Sequence, residues 1–177
     1  VQMNSTGSTT NIYCQGEVQL IGGGVIELSD HTNNRIYSNT NDRWTNVDNT
    51  IQGAGQLGVN TSGFTNQSLI DANLSSMLKL DPNEDGVINE GILQASGGGT
   101  LRLQSGEFYN DLGTIEALDD SVVELYACRI IGGELVCTGT GTLGPSTSEP
   151  IIQDVTIVGT ITIPNGRNLT LAGEIKN

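Results

Sequence analysis

One phrase recurs along this 177-residue chain with a period of 22 or 23 residues. Each copy combines a short strand, a small polar turn and a second strand with alternating apolar residues, and the clearest copies end on Leu80, Leu103 and Leu125. A further copy ends on Leu171, which lies 46 residues, or two periods, after Leu125. Repeats of this length that contain strands and no helical pattern are typical of parallel β-solenoids, in which each repeat forms one coil.

The alternation of side chains inside each copy predicts how the coils pack. Arg102 stands between two leucines, and Glu124 stands between Val123 and Leu125. A strand with this pattern directs its apolar side chains inward and the charged one outward. One coil cannot bury its inward face alone, whereas a stack of coils shares one core. We therefore predict an all-β, right-handed parallel β-helix of six to seven coils, about 22–23 residues per coil, with a core stack formed by Leu80, Leu103, Leu125 and Leu171.

The composition along the chain predicts its boundaries. Residues 1–20 are rich in Ser, Thr and Gln and are expected to form an irregular N-terminal entry or cap. The β-helix is expected to span residues 21–177. Residues 145–150 begin and end with proline, which cannot join a central ladder, so we expect an inserted loop there.

Asparagines recur at a second fixed place in the repeat, just before the first strand of a unit. Asn66, Asn89 and Asn110 are separated by 23 and 21 residues. Stacked asparagines at one corner can form an amide ladder, in which each side chain bonds to the next coil. The alternative is a polar binding strip. The ladder is favoured because inward polar groups at a turn need partners, and stacking supplies them.

A phrase at residues 81–89 resembles the first nine positions of a calcium-binding loop. Asp81, Asn83 and Asp85 occupy the alternate ligand positions, and Gly86 occupies the sixth. The twelfth position should carry an acid but carries Ile92. Calcium is the single cofactor hypothesis that the sequence offers. A polar turn, in which proline and Asp-Gly interrupt the strand, is the favoured interpretation.

The three cysteines leave two interpretations open. Because three is an odd number, at most one disulfide can form within the chain. Cys128 and Cys137 flank two glycines within one repeat, so a disulfide across that corner fits their spacing. Cys128 also stands where Asn110 stands one coil earlier, and Cys137 stands where Ala117 does, so two buried free thiols that act as small apolar residues fit as well.

The charge balance excludes some classes of partner. The chain has 7 Lys and Arg against 20 Asp and Glu, and its formal net charge is −13. Such a surface repels phosphate backbones and anionic lipid, so we expect no nucleic-acid partner. No stretch approaches the ~18 apolar residues of a membrane-spanning helix, so we expect no membrane insertion.

Catalytic patterns are weak. Glycosidases need two carboxyl groups at a fixed distance across a groove. Here Asp119 and Asp120 fall in a predicted turn, and Glu107 and Glu116 fall on different predicted strands. His31 is the single histidine, and no nucleophile-elbow, phosphate-loop or zinc-protease motif occurs. We therefore expect a protein that is not an enzyme.

Several phrases resemble the repeats of very large bacterial surface proteins. They are VDNTIQGAG at 47–55, ILQA at 92–95, TIEA at 114–117 and LSDHTNNRIY at 28–37. The repeats that they resemble belong to haemagglutinin-like and autotransporter-like adhesins with right-handed parallel β-helix (pectin-lyase-like) folds. The resemblance covers roughly residues 20–177 and implies a stalk, fibre or adhesive shaft outside the cell. It carries no catalytic signature.

These observations together predict a non-catalytic structural or adhesive module, located outside the cell or at its surface. Its expected partners are copies of itself stacked end to end, neighbouring repeats of a longer chain, or a surface glycan. The alternative is a β-helix that binds or cleaves carbohydrate. A groove with clustered carboxylates and aromatic residues would favour the alternative, and its aromatic candidates are Tyr37, Trp44 and Tyr109.

Overall fold

The computed structural model describes residues 1–146 and 149–177, and within them the chain forms strands and turns without a helix. Three parallel sheets, here called A, B and C, stack as a β-solenoid of about eight turns with about 22 residues per coil. The all-β parallel solenoid expected from the repeats is thereby confirmed, with about eight coils in place of six to seven. Within this described part no helix is long and apolar enough to cross a membrane.

Each coil adds one strand to sheet A, then one to sheet B and one to sheet C. Sheet A contains β1 (Gln2–Met3), β4 (Val25–Leu28), β7 (Thr50–Gly53), β10 (Leu69–Ala72), β13 (Ile92–Ala95), β16 (Thr114–Ala117), β19 (Glu134–Cys137) and β22 (Thr156–Val158). Sheet B contains β2 (Thr10–Cys14), β5 (Asn34–Ser38), β8 (Gly55–Leu57), β11 (Leu78–Leu80), β14 (Thr100–Gln104), β17 (Val122–Tyr126) and β20 (Thr142–Pro145).

Sheet C closes each coil. It contains β3 (Val18–Leu20), β6 (Trp44–Asn46), β9 (Phe64–Asn66), β12 (Val87–Asn89), β15 (Glu107–Tyr109), β18 (Arg129–Ile131), β21 (Ile151–Gln153) and β23 (Thr170–Ala172). The turns between successive sheets are here called the A–B, B–C and C–A corners.

The core consists of apolar columns that follow the register of the strands. In sheet B, Leu80 pairs with Leu103 and Leu103 pairs with Leu125, as the repeat predicts, and all three are fully buried. Burial of one such side chain contributes about 1.5–3 kcal/mol relative to leaving it exposed. Sheets A and C carry similar columns, namely Ile26, Ile51, Ile70, Leu93, Ile115 and Leu135 in sheet A, and Trp44, Phe64, Val87, Phe108, Ile130 and Ile152 in sheet C.

The predicted place of Leu171 is wrong. Leu171 pairs with Ile152 in sheet C and is 58% exposed, whereas Pro145 follows Leu125 in the sheet B column. In the last coil sheet B is reduced to a single bridge between Leu143 and Ile161. The last copy therefore has the same spacing as the others, but its final leucine lies in sheet C and not in sheet B.

The predicted boundaries also change. Residues 1–20 are not an irregular cap, because they contain β1, β2 and β3 and form the first coil. All five residues of β2 pair with β5. The side chains of Ile12 and Cys14 point inward and pack on the core, as in the later coils. The expected loop at 145–150 starts later than predicted, because Pro145 belongs to β20, and residues 147 and 148 lie outside the described part.

The third coil has an exceptionally short A–B corner. Strand β7 ends at Gly53 and β8 begins at Gly55, so Ala54 alone joins them. Gly53 has a φ of +117°, and a Cβ atom there would lie 2.0 Å from the backbone oxygen of Leu28 in the preceding coil. Only glycine satisfies both the backbone conformation and the close approach of the two coils.

Replacement of Gly53 by alanine should therefore destabilise the protein more than a matched change elsewhere. Gly22 has almost the same φ, +121°, but its Cβ would meet open space. We expect Gly22→Ala to cost only backbone strain, about 1–2 kcal/mol of the free energy of unfolding, and Gly53→Ala to cost about 1–3 kcal/mol more. Urea unfolding followed by the fluorescence of Trp44, the single and fully buried tryptophan, measures both. Equal losses would contradict the close contact at Gly53.

Candidate functional site

The asparagines at the end of sheet C form a continuous ladder inside the solenoid. The Nδ2 of Asn46 donates to Oδ1 of Asn66 at 3.0 Å, Asn66 donates to Asn89 at 2.9 Å, and Asn89 donates to Asn110 at 2.7 Å. All four side chains are at most 1% exposed. A ligand in solution cannot reach such groups, so the ladder is structural and the polar-strip interpretation is wrong.

The second hydrogen of each amide is also used. Asn66 donates to the backbone oxygen of Ser68, and Asn89 donates to that of Gly91, so the ladder also holds the C–A corners. Asn46 is a member that the sequence analysis missed. Its signal is present in the sequence, since Trp44–Asn46 occupies the same place in its coil as Phe64–Asn66 does in the next.

Removal of one rung should be costly because its neighbours lose their partners. Asn89→Ala removes one of the acceptors of the Asn66 Nδ2 and leaves the Oδ1 of Asn110 without its donor, both away from water. We expect the free energy of unfolding to fall by about 2–4 kcal/mol. Asn11→Ala, at an exposed asparagine on β2, should change it by no more than about 0.5 kcal/mol. Urea denaturation compares the two variants, and equal small effects would show that the ladder does not stabilise the stack.

The loop predicted as a calcium site uses its oxygen atoms within the protein. Asp81 forms an ion pair with Lys79 at 3.2 Å. Asn83 accepts a hydrogen bond from the backbone of Asp85 and donates to its carboxylate at 2.9 Å. Ile92, at the position of the missing twelfth ligand, lies in sheet A on β13. The described residues contain no group of three or more His, Cys, Asp or Glu arranged to hold a metal, and calcium at Asp81, Asn83 and Asp85 stays a prediction.

The cysteines are free thiols, and the disulfide considered between Cys128 and Cys137 is not formed. The reason is their placement, since Cys128 lies at a B–C corner and Cys137 ends a strand of sheet A. Burial raises the pKa of Cys128 to about 12 and that of Cys14 to about 11, so both are protonated and unreactive near neutral pH. The sulfur of Cys137 donates to the backbone oxygen of Gly141.

The aromatic candidates do not share a groove. Trp44 is fully buried and stacks on Phe64, with ring centroids 4.6 Å apart. Tyr37 lies in sheet B against Tyr13, whereas Tyr109 lies in sheet C and donates to the carboxylate of Glu107. The structure therefore provides no aromatic platform from these three residues.

Sheet A carries an outward row of acids and amides that the sequence analysis missed. Glu27, Gln52, Asp71, Gln94 and Glu116 are neighbours in register on β4, β7, β10, β13 and β16. In the sequence this row corresponds to the third position of the repeated motifs LIDA, ILQA and TIEA.

Two carboxyl groups of this row have raised pKa values. Asp71 is only 7% exposed, and burial raises its pKa against the smaller opposing effects of hydrogen bonds from Ser96 and Gln94. Burial raises the pKa of Glu116, and the negative charge of Asp71 adds to the effect. The two residues lie two strands apart, a backbone separation of about 9.6 Å.

Comparison with protein-family models, with curated proteins and with solved structures finds no match. The likeness to haemagglutinin-like and autotransporter-like repeats therefore stays a hypothesis that rests on the repeated phrases and on the parallel solenoid that they form.

Proposed function

We propose that the protein is a non-catalytic structural module, a solenoid shaft whose ends are covered by further coils of the same geometry. The observation that carries this proposal is the state of the two ends. Each presents strands with an unpaired edge and an apolar layer that the protein itself does not fully cover. Unpaired edges of this kind are templates for the addition of more strands.

The first coil exposes the start of the core columns. Ile12 and Val18 are partly exposed, whereas Ile36 and Trp44, which follow them in the next coil, are fully buried. The unpaired edges of β1, β2 and β3 face the same way, because all strands in each sheet are parallel and in register.

The last coil exposes the other end of the same columns. Leu171 is 58% exposed over the fully buried Ile152, and Ile161 is partly exposed over Leu143. A further coil placed on this end continues the ladders and covers the apolar layer. A second copy stacked head to tail supplies such a coil, and so do neighbouring repeats of a longer chain.

The proposed role of this module is mechanical. Continuous ladders resist bending and leave few accessible backbone segments for proteases. The net charge of −13 keeps the sides of the shaft soluble and apart. The resemblance to bacterial surface repeats supports a place outside the cell or at its surface, with a surface glycan as a further partner.

End-to-end stacking predicts reversible association that depends on Leu171. Sedimentation velocity over a range of concentrations should show oligomers that grow with concentration and with added salt, because salt screens the repulsion between acidic copies. Negative-stain images should show rods whose length increases in steps of about 38 Å, the height of eight coils. Leu171→Glu places a charge in the junction and should abolish association.

The matched control is Leu112→Glu, which changes a residue that is 78% exposed in a C–A corner, on the side of the shaft. It should associate like the original protein. A species that stays monomeric at all concentrations and salt levels, or one that is weakened equally by both substitutions, would contradict end-to-end stacking of copies.

A second candidate function is glycoside hydrolysis, which the carboxyl pair of sheet A favours. The strands that carry Asp71 and Glu116 lie about 9.6 Å apart, close to the upper end of the ~6.5–9.5 Å that separates the two carboxyl groups of inverting glycosidases. The raised pKa of each suits a general acid. In this candidate function one group protonates the glycosidic oxygen, and the other, once ionised, activates a water molecule.

Release of reducing ends from neutral oligosaccharides tests this second function. Asp71→Asn and Glu116→Gln should each lower any cleavage rate at least about 100-fold, because each removes a proton-transfer group. Glu134→Gln, an exposed acid at the start of β19, is the control and should keep the rate. Absence of cleavage by the original protein removes the hydrolase and leaves the shaft.

A further inference from the structure

Differences in corner length create a concave surface near the start of the solenoid. The A–B corner of the third coil is Ala54 alone, whereas the corners of the second and fourth coils span residues 29–33 and 73–77. The two long corners therefore project on either side of the short one and leave a depression between them.

The two projecting corners meet above the short one. The Oγ of Ser75 donates to Asp30 at 2.5 Å, and the backbone N–H of Ser76 donates to the other carboxylate oxygen at 2.7 Å. These hydrogen bonds lower the pKa of Asp30, so the carboxylate stays charged and the link persists at neutral pH. We call this link the arch. It joins parts of the chain that are about 45 residues apart.

A cleft of about 250 Å³ lies beside the arch, on the outer face of sheet A. Glu27 is the single charged group among the described residues that line it, and its carboxylate accepts a hydrogen bond from Gln2 at 3.1 Å. No lysine or arginine of the described residues lines the cleft. The carboxylate is therefore not neutralised by the protein itself.

Three amide side chains of the cleft have unused hydrogen-bonding capacity. Within the described residues, the side-chain amides of Asn4, Gln52 and Asn73 make no hydrogen bond or ion pair, so their carbonyl oxygens are available as acceptors. Leu74 supplies apolar atoms to the same wall. The cleft thus combines a carboxylate, amide oxygens and a short apolar surface.

We propose that this cleft binds the side chain of an arginine or lysine of a partner protein. Such a side chain joins several hydrogen-bond donors and a positive charge to an apolar stem, and each part has a counterpart here. The donors face the carboxylate of Glu27 and the amide oxygens of Gln52 and Asn73, while the stem lies against Leu74. Charge-assisted hydrogen bonds to a carboxylate are stronger than those between neutral groups.

The charge of the whole molecule supports a cationic occupant. With a net charge of −13, the protein attracts positive groups and raises their local concentration at its surface. A sugar fits less well, because none of the described residues that line the cleft is aromatic and could stack against a sugar ring. This site lies on the side of the first four coils, and Glu27, its charged group, belongs to the second coil and not to a shaft end.

The experiment is an NMR titration of the full chain with Nα-acetyl-arginine N-methylamide. The amide signals of Gly53, Asn73 and Leu74 should shift in a saturable way, and the affinity should fall as salt is added. The citrulline analogue has the same shape without the charge, and it should bind at least about tenfold more weakly.

Two variants assign the effect to the cleft. Glu27→Gln removes the charge at an exposed position and should weaken binding of the arginine probe at least about tenfold, with the rest of the spectrum unchanged. Glu134→Gln changes the net charge by the same amount on the same sheet and should leave the affinity as it was. Absence of saturable shifts at the cleft, equal affinity for the citrulline analogue, or unchanged affinity in Glu27→Gln would each overturn the proposal.

Discussion

In-register stacking of parallel strands between successive coils is the interaction on which the rest of the structure depends. Each strand inside a sheet pairs with the strands of the coils before and after it, so equivalent residues of successive repeats lie one above another. Apolar residues then form columns, and inward amides find partners in one another. Outward residues form rows by the same rule, which is how Asp71 and Glu116 come to share one face.

The same rule explains how much the sequence could predict. The leucine column and most of the asparagine ladder follow from spacing alone, because equal spacing becomes vertical alignment in a stack. The position of Leu171 could not be predicted from spacing, because the last repeat keeps its spacing although its coil loses most of its strand in sheet B. The coil formed by residues 1–20 could not be predicted because its sequence differs from the later repeats, although its inward residues alternate in the same way.

Features that depend on corner geometry could not be predicted from the repeats. The arch requires a one-residue corner between two long ones and a contact between Asp30 and Ser75 across an intervening coil. The separation of Cys128 from Cys137 depends likewise on which corner each occupies. The corners differ in length from coil to coil, and they give this chain its individual features. The strands form the architecture that all coils share.

This division places the proposed functions on different parts of the molecule. The strands and their unpaired edges supply the shaft, and the side of the first four coils supplies the acidic cleft beside the arch. Gly53 lines the cleft and lies at the short third corner, where the second and third coils approach closely.

The most direct test of the account is a methyl NOESY spectrum of the protein labelled at leucine. Methyl groups in adjacent coils lie about 4.8 Å apart along the axis, within the range of the measurement. Cross-peaks are expected between Leu80 and Leu103 and between Leu103 and Leu125, with Leu171 absent from this series. Missing cross-peaks between these pairs, or a contact of Leu125 with Leu171, would contradict the stacked solenoid described above.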